Sequence, residues 1–203
     1  MIYCIGDSHA SFFTGKDEMV DIWPHVEKNT GPYFNGIRIG PMSAHNLLSN
    51  KNRIIDITNK VGDWKEDYLM LPHGDSDCRY EIPRLLEAGW DAVCDAVDES
   101  VDGYCKAISF FNERFSLIIW GVIGAGPPSI YSYGTQEERN GIVMMFNEKV
   151  KDFCEKNAIP FVTIYDDMVE NFITKNGWLI DEIHLGQTAM PLVIEKFRSA
   201  GLV

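Results

Sequence analysis

The feature that most constrains this chain is a set of short apolar runs that do not alternate with polar residues. Ser116-Leu-Ile-Ile-Trp-Gly-Val-Ile123 is the strongest, and Ile2-Tyr-Cys-Ile5, Asp67-Tyr-Leu-Met-Leu71 and Pro160-Phe-Val-Thr-Ile-Tyr165 share its character. A strand with one wet face reads apolar-polar-apolar; a run apolar at every position is buried on both faces, as in a covered parallel sheet. Segments with helical spacing separate the runs. One runs from Pro83 to about Phe115, carrying Leu85, Leu86, Ala92, Val93, Ala96, Val97, Val101 and Ala107. A second runs from Gln136 to Glu155, with Ile142, Val143, Met145, Phe146, Val150 and Phe153, and a third from Gln187 to Ala200. Strands alternating with helices predict one α/β domain over residues 1–203, a three-layer α/β/α sandwich around a parallel sheet of about five strands.

Other stretches are read from their punctuation. Trp23-Pro24 and Gly31-Pro32 make residues 9–35 a loop with one helical turn. Gly36-Ile-Arg-Ile-Gly40 reads as a short edge strand stopped by Pro41. Ser43 suits the cap of a short helix to Leu48. Arg53-Ile-Ile-Asp-Ile57 reads as a strand or a helix end. Gly89 and Gly103 are the places where the long helix divides, and a short helix is expected from Asp167 to Phe172.

Charge and cysteine usage narrow the function. The net charge is −12, from 30 acidic against 18 basic residues. Nucleic acid and anionic membranes both need a basic footprint, so neither is expected as a partner. Five cysteines, an odd count without a C-x-x-C pair, argue against a disulfide framework and for a reducing compartment. Cys4 and Cys154 sit in apolar surroundings and read as core. No signal peptide precedes the first strand, and no apolar run reaches the ~18 residues of a membrane span. A cytoplasmic location is the expectation; the sequence leaves the oligomeric state open.

Four polar clusters follow strands: Asp7-Ser8-His9, the flank of Gly40, His73-Gly-Asp-Ser-Asp-Cys-Arg79, and Asp181-Glu-Ile-His184. In open α/β sheets ligands sit beyond the carboxyl ends of the strands, where such loops gather. A nucleophilic serine needs a base, and the base needs an orienting acid. Ser8, His184 and Asp181 can fill these roles, because an aspartate three residues before a histidine reaches its Nδ1 within one turn.

With these blocks the sequence resembles the SGNH (GDSL-type) hydrolases, which open on Gly-Asp-Ser near the N-terminus and close on Asp-x-x-His near the C-terminus. The resemblance implies a flavodoxin-like sheet, Ser8 as nucleophile, His184 as base and Asp181 as its orienter, with no cofactor and no metal. It also implies an oxyanion hole from the Ser8 N–H, a second-block glycine and a third-block asparagine. Gly40 is the candidate glycine. The third block departs from the family, since Gly74-Asp75-Ser76-Asp77 puts Ser76 where the asparagine amide would donate. A hydroxyl is shorter and donates one hydrogen, and losing one oxyanion donor costs on the order of 100-fold in rate. Arg79 offers a replacement for that positive potential. The run is also similar to a Gly-Glu-x-Asp-Cys-Arg variant of SGNH-like proteins, some associated with glycan assembly.

The reaction implied is hydrolysis of an ester, in particular an O-acyl group on a small molecule or glycan. His9, His73, Asp77 and Arg79 are candidate substrate contacts, with an Asp77–Arg79 loop ion pair as the plain alternative. Ser76 is a rival nucleophile. Trp23, Tyr33, Tyr131 and Tyr133 are candidates for stacking on a sugar ring. Two other classes stand beside this one: a non-hydrolytic protein on the same fold, transferring acyl or glycosyl groups or binding glycan, and a metal-dependent phosphoesterase using Asp7, His9, Asp75, Asp77 and His184.

Overall fold

The computed structural model describes residues 1–18, 22–28 and 31–203. The apolar runs form the sheet. Strands β1 (Ile2–Gly6), β2 (His25–Lys28), β3 (Phe34–Arg38), β4 (Tyr68–Leu71), β5 (Ser116–Trp120) and β6 (Phe161–Val162) lie in the order β2-β3-β1-β4-β5-β6. All neighbours are parallel except β2 and β3. The five parallel strands therefore have the 2-1-3-4-5 order of a doubly wound sheet. A two-stranded antiparallel hairpin, β7 (Val169–Glu170) with β8 (Ile173–Thr174), stands apart from the sheet.

Successive side chains of each strand enter opposite cores. Along β5, Leu117 and Ile119 face one layer, and Ile118 and Trp120 the other. The first layer holds α1 (Lys51–Thr58), α2 (Trp90–Asn112) and α3 (Gln136–Lys156). The second holds a 3-10 helix, Ser8–Thr14, and α5 (Met190–Ser199), through Phe12, Phe13, Val193 and Phe197. The three-layer sandwich is as expected, and the non-alternating pattern is explained by two dry faces.

Several local expectations are corrected. The segment taken as an edge strand at Gly36–Gly40 is the interior strand β3, ending at Arg38, because β2 covers its outer side. That cover comes from the 9–35 stretch read as a loop, part of which lies outside the described residues. Arg53–Ile57 is helical, since Ile54 and Ile57, three apart, share the buried face of α1. Ser43–Leu48 forms turns rather than a helix, with Ala44 and Leu47 buried. The long helix divides at Gly89 alone, where φ is +101°. Gly103 continues α2, and its missing Cβ admits the His45 carbonyl, which a methyl there would meet at 2.8 Å. The expected helix at Asp167 ends at once: α4 spans only Tyr165–Met168 before β7. The closing helix begins as a 3-10 turn, Gln187–Ala189, and continues as α5.

Candidate active site

The carboxyl ends of β3, β1 and β4 lie side by side, so the loops after them meet. After β1, Asp7 caps the 3-10 helix by accepting the His9 N–H at 2.9 Å. The capping turn places Ser8 in the first helical position, where its own N–H has no intrahelical acceptor. After β3, the Ile39 N–H donates to the Gly6 carbonyl at 2.8 Å, which lays the following Gly40 alongside the Ser8 turn. Gly40 has φ +89°, and a Cβ there would lie 2.7 Å from the Trp23 ring, so the position is built for glycine. Arg53 of α1 donates to the carbonyls of Ile39 and Pro41 on either side of it.

The C-terminal block arrives from the other end of the chain. Leu179 bridges Leu185, and the Ile180 N–H donates to the His184 carbonyl, closing a tight turn. Within it Asp181 Oδ1 accepts the N–H groups of Ile183 at 2.7 Å and His184 at 2.6 Å. Its other oxygen, Oδ2, lies 2.7 Å from His184 Nδ1. On the far side of the ring His184 Nε2 lies 2.9 Å from Ser8 Oγ. Gln187 fastens this turn to the first helix: its N–H donates to Asp17 Oδ1 at 2.7 Å and its side-chain amide to the Phe12 carbonyl at 2.7 Å.

Burial and charge tune these groups. Burial drives the His184 imidazole below its usual value, and the neighbouring His9 charge adds to the effect, against Asp181. Burial raises the Asp181 carboxyl, but the hydrogen bonds from His184 and the two backbone amides outweigh it, leaving the group below the usual range. Asp7, wholly covered, is pushed up to about 6, mainly by burial. A hydroxyl bound to a neutral imidazole, itself bound to a carboxylate, can be deprotonated as it attacks.

Not every candidate is placed to act. His73 is fully buried, and burial together with the charges of His9 and Arg53 pushes its imidazole down to about 3; it cannot reach a substrate. Asp77 is also buried, bound to the Ala44 and His45 N–H groups and the Ser100 hydroxyl, so neither the substrate role nor a pair with Arg79 holds. Its carboxylate ties the third loop to the second. Arg79 instead donates to Asp75 Oδ2 at 2.8 Å and to the Tyr131 carbonyl. Ser76 is half-buried and begins a short π-helical turn, Asp77–Glu81; the imidazole of His184 goes to Ser8 rather than to it. His9 lies against His184, with ring centroids 5.3 Å apart.

Of the aromatic candidates, Tyr33 precedes β3, at the opposite end of the sheet, and its ring lies under Arg198. Trp23 stands against Gly40, and Tyr131 and Tyr133 occupy the loop that Arg79 holds. Among the described residues no three His, Cys, Asp or Glu side chains converge as a metal site, so the phosphoesterase alternative lacks its donor set. Among them, too, no helix is long and apolar enough to cross a membrane. Sequence reasoning missed Asp75 as the partner of His9, Gln187 as the fastener and Arg53 behind Gly40; each is a contact between distant segments with no local pattern.

No protein-family model matches the sequence, and no curated protein does. Solved structures do match. A catalytic mutant of an acetylxylan esterase from Geobacillus stearothermophilus aligns over 100% of this chain and 94% of its own, at 14% identity and a TM-score of 0.63. A GDSL-like lipase from Bacteroides thetaiotaomicron aligns over 98% and 86%, at 14% identity and a TM-score of 0.62. A member of the lipolytic G-D-S-L family from Veillonella parvula aligns over 98% and 96%, at 16% identity and a TM-score of 0.57. The chain has the SGNH-hydrolase fold.

Proposed function

We propose that the protein is a serine esterase that removes an O-acyl group, with Ser8 as nucleophile, His184 as general base and Asp181 as its orienter. The observation that carries this reading is the continuous line from Ser8 Oγ through His184 to Asp181, at 2.9 and 2.7 Å. In the first step His184 Nε2 takes the Ser8 proton as Oγ bonds to the ester carbonyl. The oxyanion is held by the N–H groups of Ser8 and Gly40, with the Ser76 hydroxyl in the third position. Collapse expels the alcohol, which takes the proton back from His184. Water, deprotonated by the same imidazole, then frees the acid and restores Ser8. The scheme needs no cofactor.

The acetylxylan esterase among the similar structures favours a carbohydrate ester. So does the placement of Trp23, Tyr131 and Tyr133, which are exposed on loops around the same rim. Arg79 and His9 are proposed as groups lining the acyl site. All five cysteines are free, which favours the cytoplasm. A second reading, a non-hydrolytic protein on the same fold, with acyl transfer to an acceptor other than water as one form, is favoured by Ser76, because a third donor weaker than an amide stabilises the oxyanion of ester cleavage less.

The test is a fluorophosphonate probe with p-nitrophenyl acetate turnover. Ser8 should label, and Ser8→Ala and His184→Ala should each lose at least about 1,000-fold in kcat. Turnover at the wild-type rate in both variants would end the reading. Labelling of Ser8 with turnover only on adding a sugar or other alcohol acceptor would select the transfer reading.

A further inference from the structure

Beside the Ser8 line lies a cluster of ionisable groups for which the acylation scheme has no proton-transfer role. His9 is 8% exposed, and its Nε2 lies 3.1 Å from Asp75 Oδ2. The same oxygen accepts from Arg79 Nε at 2.8 Å. Asp75 and Arg79 reach His9 from the loop after β4, while Asp7 faces it from the cap of its own helix. His73, two residues past β4, is the remaining titratable neighbour and stays neutral. Arg139 of α3 reinforces the positive surroundings of Asp75. On the open side the His9 ring meets His184 at 5.3 Å between centroids. His184 is thus faced by Asp181 from its own turn, by His9 from the 3-10 helix and by Asp75 from the β4 loop.

We propose that His9, held as an imidazolium by Asp75, is a positioning residue that keeps His184 deprotonated and so sets the lower pH limit of Ser8 activation. The proposal rests on the esterase reading of Ser8 and His184. The Asp181 carboxylate at 2.7 Å favours the protonated ring, which cannot accept from Ser8, and burial of the ring is the first influence against it. A fixed positive charge next door opposes that tendency. Burial raises the Asp75 carboxyl, but His9 first, and then Arg79 on the same oxygen, hold it well below the usual carboxylate range, so the two cations and the carboxylate stay charged together. Burial pulls the His9 imidazole down, but the Asp75 carboxylate at 3.1 Å, helped by Asp7, outweighs it and pushes the group up to about 9. Across the pH range in which His184 titrates, His9 therefore stays charged, and a proton taken up by His184 has to enter beside an existing positive charge.

The experiment follows both imidazoles by NMR titration of the full chain in the wild type, His9→Gln and Asp75→Asn. It also measures the pH dependence of fluorophosphonate labelling at Ser8. In His9→Gln the His184 midpoint and the acidic limb of labelling should rise together by about one pH unit. In Asp75→Asn the His9 midpoint should fall from about 9 toward 7 or below, and His184 should rise by less, because an opposing negative charge is lost with the positive one. A His184 midpoint unmoved in His9→Gln overturns the proposal, as does a wild-type His9 that titrates near its ordinary 6.5. If His9→Gln does not fold, the wild-type His9 midpoint and Asp75→Asn decide. A wild type that fails to label at Ser8 removes the esterase reading, and the NMR midpoints alone then judge the coupling.

Discussion

Asp77 illustrates how a carboxylate that looks catalytic becomes structural. Both of its oxygens are taken, by the Ala44 and His45 amides and the Ser100 hydroxyl. Removing it leaves several buried donors without an acceptor, each costing about 1–3 kcal/mol. Asp77→Ala should therefore lower the unfolding free energy by at least about 3 kcal/mol in urea titration, whereas Asp77→Asn, which keeps one acceptor oxygen, should cost less. A loss under 1 kcal/mol for the alanine variant would mean that the loops after β3 and β4 are held by something else. At this scale the sequence is legible where the partners are close along the chain. Asp181 and His184 are three residues apart, and their pairing is written in one turn. His9 and Asp75 lie 66 residues apart, so their contact depends on the adjacency of β1 and β4 and leaves no local trace. Asp77 is hidden for the same reason: its partners Ala44 and Ser100 lie 33 and 23 residues away, and locally it is only an acid two residues before an arginine.

Among the elements, α5 does most to close the second core. Phe197 is wholly buried, meets Phe34 edge-on at 5.0 Å and stacks on Trp120 at 6.2 Å. Phe197→Ala should cost about 3–5 kcal/mol, the range for deleting a buried aromatic, read from the urea midpoint at constant slope. Buried parallel strands and the three long helices were legible because their apolar periods are long enough to be unambiguous. The weak elements were not. Arg53-Ile-Ile-Asp-Ile57 is too short to separate a period of 2 from one of 3.6, and its helical state is set by packing. The β2 ribbon shows no apolar run at all, and it exists because β3 offers an open edge.

For the molecule as a whole, the Asp75–His9 pair couples folding to pH. The folded His9 imidazole lies at about 9 against 6.5 when unfolded. Its stabilisation is therefore complete below about pH 6.5 and disappears as the pH rises through about 9, amounting to about 3 kcal/mol. Asp75 gives the mirror image: its carboxyl is depressed in the fold, so its share is lost as the pH falls below the ordinary carboxylate range. Melting followed by circular dichroism should show a lower Tm at pH 9.5 than at pH 6.5. Net charge, already −12 at neutrality, also grows more negative over that interval and destabilises in the same direction. His9→Gln separates the two, because only the self-repulsion survives in it; an equal fall in Tm in both proteins would show that the pair contributes nothing.

Gln187, at the head of the closing helix, bonds to Phe12 of the first helix, and the Ser8–His184 contact spans 176 residues. On the ribosome the hydroxyl emerges long before its partner imidazole exists. A polypeptide interrupted anywhere ahead of residue 184 would carry an intact Gly-Asp-Ser and no base to work it. On the esterase reading proposed above, newly made protein is thus silent until translation has passed that point and the trailing segment has docked.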